Sequence, residues 1–187
     1  MYLAPVAYPT TAGINAPYYY YGYALGYPAA YRYPGTYPYP SAHPGITRSE
    51  DRIVLKDYGK EPLAIDIEEA AEQNDAYRTA LWTGDHLQVT LMSIGVGGDI
   101  GLEVHPDTDQ FIRIEEGRGV VRMGKDKDRL DNVQQISEGY AVMVPAGTWH
   151  NLINTGDEPL KIYTIYAPPH HPPGTVHKTK AEAMAAE

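Results

Sequence analysis

The chain has 187 residues, no cysteine, 24 acidic against 15 basic side chains, and a formal net charge of −9 at pH 7. Absence of thiols excludes a disulfide framework or a thiolate metal centre, and the lack of a basic stripe excludes nucleic acid as a partner, because neutralising phosphates requires clustered Lys and Arg. No stretch approaches the roughly 18 apolar residues of a membrane span, and Met1-Tyr2-Leu3-Ala4-Pro5 has neither the basic start nor the apolar run of a signal peptide, so the sequence predicts cytoplasmic synthesis without export or a membrane partner.

Residues 1–47 differ in kind from the rest. They hold 12 of the 17 tyrosines and one charged residue, Arg32, whereas all 24 acidic residues follow Thr47. Runs such as Tyr18-Tyr19-Tyr20-Tyr21-Gly22-Tyr23 and Tyr33-Pro34-Gly35-Thr36-Tyr37-Pro38-Tyr39-Pro40 have no period that would bury one face, and proline removes backbone donors throughout. The composition predicts a disordered or polyproline-like arm over 1–47, a folded domain over 48–177, and a tail over 178–187 that forms a short surface helix. About 140 residues suffice for one domain with its own core.

Within the domain, Ile65 to Asn74 has the spacing of a short helix. Strand-like runs then follow at 79–83, 86–94, 100–105, 110–115, 119–124, 133–136, 140–144, 148–154 and 160–166, rich in β-branched and aromatic residues and punctuated by Gly, Pro, Asn and Asp. Many short strands at this spacing predict an all-β sandwich or barrel. Charge clusters such as Asp66-Ile67-Glu68-Glu69 and Lys125-Asp126-Lys127-Asp128-Arg129 read as solvated surface. Trp82, Gln88, Thr90, Trp149 and Tyr163 are candidates to line an interior site, although ordinary core packing is the leading reading of each. After the last strand, Ala167 to His177 carries His170, His171 and His177 among four prolines, suited to folding over a barrel mouth and supplying an acid or base, or to an exposed tail.

Two stretches carry chemistry. In GYAVMVPAGTWHNLIN, Gly139, Pro145, Gly147, His150 and Asn154 stand at fixed offsets around a strand, a turn and a second strand. A hairpin corner fixes the direction of an imidazole, as a metal ligand requires. Upstream, GGDIGLEVHPDTDQFIRIEEG places Gly97, Glu103, His105, Gln110 and Gly117. Glu103 and His105 are two apart on a strand-like segment, so their side chains leave the same face. The turn Pro106-Asp107-Thr108-Asp109 then returns the chain with Gln110. Imidazole and oxygen donors suit a divalent Zn, Mn, Fe, Co or Ni ion without choosing among them.

Both stretches resemble the paired signature motifs of the cupin superfamily. The second matches in full; the first keeps the spacing but carries Glu103 where the first His is usual and Gln110 where the Glu is usual. The resemblance implies a double-stranded β-helix, or jelly roll, preceded by a short helix and the N-terminal arm, with Glu103, His105, Gln110 and His150 holding one metal ion. Zinc-dependent phosphomannose isomerases of this superfamily also use two His, one Glu and one Gln, with the Glu and Gln in the opposite order. The resemblance thus implies a small metal-dependent enzyme acting on a sugar or other small oxygenated molecule, by isomerase-like or dioxygenase-like chemistry, and a homodimer formed through sheet edges. The arm resembles those of bacterial spore-coat proteins, which implies an alternative structural role in which residues 1–47 bind or cross-link coat-layer partners.

Overall fold

The computed structural model describes residues 52–186. The Tyr-rich segment 1–47 lies outside the described residues. Helix α1 (Ile67–Gln73) is followed by β1 (Arg78–Thr83), β2 (Gln88–Ile94), β3 (Asp109–Glu116), β4 (Arg118–Gly124), β5 (Asn132–Ser137), β6 (Ala141–Val144), β7 (Trp149–Asn154), β8 (Leu160–Ala167), β9 (Val176–His177) and α2 (Lys180–Ala186). The strands form a six-stranded sheet in the order β6-β3-β8-β2-β1-β9 and a three-stranded sheet in the order β5-β4-β7, with every pairing antiparallel. This is the double-stranded β-helix expected from the sequence.

Alternation within the strands explains why the sheets close on each other. In β3, Gln110, Ile112 and Ile114 are buried while their odd-numbered neighbours are less so, and in β7 the buried set is His150, Leu152 and Asn154. Residues of one parity therefore face the interior. Met92, Ile112, Ile114, Val142 and Ile162 from the larger sheet meet Val121, Ile136 and Leu152 from the smaller in one apolar core. On the other face of the larger sheet, α1 seats Ala70 and Ala71 on Leu81 and Leu91. Asp66 caps α1 by accepting a hydrogen bond from the Glu69 amide.

Three elements differ from expectation. The segment 100–105 is not a ladder strand; it forms one isolated bridge, Glu103 with His150, next to that of Asp99 with Ile153, and the Ile100 amide donates to the Leu152 carbonyl at 3.0 Å. Gly101 at φ +92° and Pro106 interrupt the extended run on either side. The two-residue strand β9, too short to leave a pattern in the sequence, pairs with β1 through Arg78 with His177 and Thr79 with Val176. Finally, α2 is not purely a surface helix, because Ala183 is buried in the main core.

The motif positions that bear no ligand have structural tasks. Gly147 takes φ +75° in the turn between β6 and β7, where its amide donates to the His105 carbonyl at 2.8 Å. Gly117 takes φ +87° and lies so close to Pro159 that a Cβ would sit 3.0 Å from its carbonyl oxygen. Asn154 is buried at the end of β7; its side-chain amide donates to the carbonyls of Ile94 and Glu158, both at 2.8 Å, and its oxygen accepts from the Gly156 amide at 2.9 Å. Removing that amide strands two carbonyls and one amide at a buried corner. Asn154→Ala is therefore expected to lower unfolding free energy by about 2–4 kcal/mol in urea titrations; a change below about 0.5 kcal/mol would show that the corner does not depend on it.

Candidate metal centre

The centre is built at one end of the barrel from a loop and a strand. Glu103 and His150 exchange backbone hydrogen bonds, N to O, at 3.0 and 2.9 Å, which ties the loop bearing Glu103 and His105 to β7. His105 is held in turn by its carbonyl, which accepts from Gly147. The outcome is a compact group in which Glu103 Oε1 lies 3.4 Å from His105 Nε2 and 3.2 Å from His150 Nε2. One donor atom from each residue lies within 4.8 Å of the others.

Those separations have a physical reading. Ligands bonded to one ion at about 2.1 Å stand about 3.0 Å apart at an octahedral edge and about 3.4 Å apart at a tetrahedral edge. Both contacts fall in that interval. His105 and His150 are 5% and 0% exposed, yet neither Nε2 has a hydrogen bond of acceptable geometry. Buried polar atoms are normally satisfied, so two orphaned imidazole nitrogens converging on one carboxylate fit a shared cation. The Nδ1 of His150 stands 3.0 Å from the Thr148 carbonyl. A proton on that nitrogen leaves the Nε2 lone pair free for coordination, the outer support metal-bound imidazoles commonly have.

Electrostatics point the same way. Burial by itself would push the Glu103 carboxyl upward, but the contacts of His105 and His150 and their positive charge when protonated outweigh it and bring its pKa down to about 2. Glu103 is thus ionised at neutral pH. Burial, then the Glu103 charge, raises the Tyr166 phenol, which stays protonated.

The wall opposite is polar and in register. On the inner face of the larger sheet Thr83 pairs with Gln88, Gln88 with Tyr166, Tyr166 with Gln110, and Gln110 with Val144. Gln110 donates from Nε2 to Thr164 Oγ1 at 3.1 Å and to the Tyr166 hydroxyl at 3.2 Å, which leaves its buried Oε1 without a partner. Thr90 Oγ1 on the same wall is buried and likewise has none.

Residues after β8 cross this end of the barrel. Gln88 grips the backbone of His171 twice, donating to its carbonyl at 2.9 Å and accepting from its amide at 3.0 Å. Asp57 grips the same segment further on by accepting from the Gly174 amide at 2.7 Å, while the Thr83 hydroxyl donates to the same carboxylate at 2.6 Å. The exposed His170 ring is thereby set 4.1 Å from the His105 ring and 5.6 Å from that of Tyr166, centroid to centroid.

The structure brings Glu103, His105 and His150 together and places Gln110 on the adjoining wall. Of the other residues read from the sequence, Gln88 and Thr90 lie on the inner wall and His170 beside the centre. His177 belongs to β9, and His86 is exposed in the β1–β2 turn. Trp82 faces outward, its indole N–H donating to the Glu61 carbonyl at 2.8 Å, and Tyr163 packs against Phe111. Tyr166 is the site residue that sequence reasoning missed. Its signal was strand parity: Ile162 and Thr164 point inward, so Tyr166 does too and Tyr163 does not.

A double-stranded β-helix with a buried His-His-carboxylate group at one end defines a cupin-type barrel. Residues 90–166 match the family model described as Cupin domain. The chain is 63% identical over 139 residues to the uncharacterised protein YrkC of Bacillus subtilis (strain 168), a match covering 74% of this chain and 75% of that protein. It is 42% identical over 113 residues to the uncharacterised protein L612 of Acanthamoeba polyphaga mimivirus, covering 60% of this chain and 69% of the relative. The crystal structure of BH2720 from Bacillus halodurans superposes with a TM-score of 0.70 at 60% identity, covering 70% of this chain and 99% of that one. The chain belongs to the cupin superfamily.

His171 supplies a pH test of the segment over the barrel end. Burial first, then the charges of Arg78 and His170, depress its pKa from 6.5 to about 3. The folded state therefore binds fewer protons than the unfolded state between those values, and stability falls as pH drops from 6.5 toward about 3. His171 contributes up to about 1.4 kcal/mol per pH unit to that slope. In urea titrations of the metal-free protein, His171→Asn should flatten the slope; an unchanged slope would mean that His171 titrates alike in both states.

Proposed function

We propose that this chain is a metal-dependent cupin enzyme acting on a small oxygenated molecule, such as a sugar, by isomerase-like or dioxygenase-like chemistry. The observation that carries the reading is the convergence of Glu103 Oε1 with the unsatisfied Nε2 atoms of His105 and His150. Glu103, His105 and His150 would hold the ion. Gln110 is the proposed fourth ligand, since its amide nitrogen is committed to Thr164 and Tyr166 while its oxygen is not. One carboxylate and neutral N and O donors suit Zn, Mn, Fe, Co or Ni. Such an ion supplies Lewis-acid polarisation of a carbonyl or hydroxyl oxygen.

The surrounding residues favour an enzyme over an inert barrel. A merely structural unit tolerates an apolar plug beside the ligands, whereas this wall offers Gln88, Thr90, Thr164 and Tyr166. Thr90 Oγ1, buried without a partner, would offer its hydrogen bond to a substrate oxygen, and His170, whose ring lies 4.1 Å from that of His105, would contact the substrate at the exposed end. The composition of residues 1–47 favours a second role, not exclusive of the first, as an adhesive or cross-linking element in a spore coat or other outer layer.

Metal analysis by plasma mass spectrometry on protein carrying no affinity-tag histidines tests the reading. About one equivalent is expected in the wild type, with at least a tenfold loss in His150→Ala and in Glu103→Gln, the second of which keeps the side-chain shape and removes the charge. Wild-type protein that remains metal-free after incubation with each of the five ions would overturn it.

A further inference from the structure

The end of the barrel at Glu103, His105 and His150 is bordered by segments held in unequal ways. On one side the turn after β6 is tied to the 105–109 loop through its backbone, with the Gly147 amide donating to the His105 carbonyl and the Ala146 amide to Asp109 Oδ1, both at 2.8 Å. On the other lies the strap 168–174. It runs from Ala167, the last residue of β8, to Thr175, whose carbonyl accepts from the Ala80 amide at 2.8 Å. Four of its seven residues are proline, without an amide proton, so the strap cannot zip onto a sheet edge. His171 is its one buried residue.

Side chains hold the strap instead, and they form one chain of hydrogen bonds. Gln88 grips the His171 backbone at both its amide and its carbonyl, and also donates to Thr83 Oγ1 at 3.0 Å. The Thr83 hydroxyl donates in turn to Asp57 Oδ2, the same oxygen that accepts from the Gly174 amide. The two grips are thus a single relay running from His171 through Gln88, Thr83 and Asp57 to Gly174. Thr83 is its shared link, since a hydroxyl gives one proton and receives another. Beneath the strap the donor groups are shut in. His150, Gln110 and His105 are at most 5% exposed, the His170 ring stands 4.1 Å from that of His105, and the His171 ring meets Tyr166 edge-on at 5.0 Å. We infer that 168–174 is a gate to the centre, pivoting at Ala167 and at Gly174, which takes φ +75°, and that the Gln88, Thr83 and Asp57 relay is its latch. That an ion and a small molecule pass the gate rests on the reading of the centre as a metal-dependent site; the opening of the strap does not.

Carbethoxylation of the metal-free full chain by diethyl pyrocarbonate, which acylates accessible imidazole nitrogens, reads the opening without an ion or a substrate. Peptide mass spectrometry follows each histidine, with His86, exposed in the β1–β2 turn, as internal reference. In the wild type His105 and His150 should react at least tenfold more slowly than His86. Thr83→Val cuts the relay at its shared link and Asp57→Ala cuts it at its outer end. Each should speed modification of His105 and His150 at least fivefold and leave His86 unmoved. Asn154→Ala loosens the opposite end of the barrel, where Asn154 bonds Ile94 and Glu158, and should leave all three rates at wild-type values. The gate is overturned by a wild type in which His105 and His150 react as fast as His86, by latch variants that change nothing, or by equal acceleration in Asn154→Ala. A chain that behaves as gated yet takes up none of the five ions keeps the gate and overturns the metal-dependent reading.

Discussion

The reciprocal pair of backbone hydrogen bonds between Glu103 and His150 is the constraint on which the rest of this barrel depends. The segment carrying Glu103 and His105 belongs to no ladder, and upstream it is tied to β7 through Gly97, Gly98 and Ile100, whose backbone groups bond those of Asn154 and Leu152. Through that pair, and the bond from Gly147 to the His105 carbonyl, a loop is given the positional accuracy of a strand. The arrangement places three side chains on one point while leaving the loop too irregular to be filled by sheet neighbours. A regular strand would have satisfied its own backbone but spread the same residues along an edge.

Burying a carboxylate is costly unless partners stand close by. Here the cost is offset locally, by two imidazoles at little more than 3 Å, and the site therefore comes as a unit. Removing either imidazole leaves Glu103 with half of its compensation, and removing Glu103 leaves two buried rings without a shared partner. Such interdependence makes the effects of changes at the three positions non-additive. The Gln88 grip on His171 extends the unit outward, since the side chain that lines the inner wall also anchors the segment lying across the barrel end.

Much of this was legible in the sequence because the relevant signals are local. The offsets among Gly139, Pro145, Gly147, His150 and Asn154 encode a turn and a strand start, and the alternation in 110–115 and 149–154 encodes which side is inward. The 100–105 segment misled for the opposite reason. Its Ile-Gly-Leu-Glu-Val-His reads as alternating, yet the positive φ of Gly101 and the proline after His105 leave only single bridges, a decision made by tertiary contacts with β7. Choosing Tyr163 instead of Tyr166 followed from not carrying parity through the last long strand. The roles of Gln88 and Asp57 were invisible because their partners, His171 and Gly174, are 83 and 117 residues distant.

The strands β2, β8 and β3 carry the polar wall on one side and an apolar row on the other, residue by residue: Gln88 beside Val89, Tyr166 beside Ile165, Gln110 beside Phe111. Because successive side chains in a strand point to opposite faces, inserting or deleting a single residue in any of these strands would turn an amide or phenol out to solvent and drive an apolar group against the Glu103, His105 and His150 cluster. Length changes in these three strands are therefore admissible only in pairs, and descendants of this barrel can vary freely at the turns while the staves themselves stay locked in even steps.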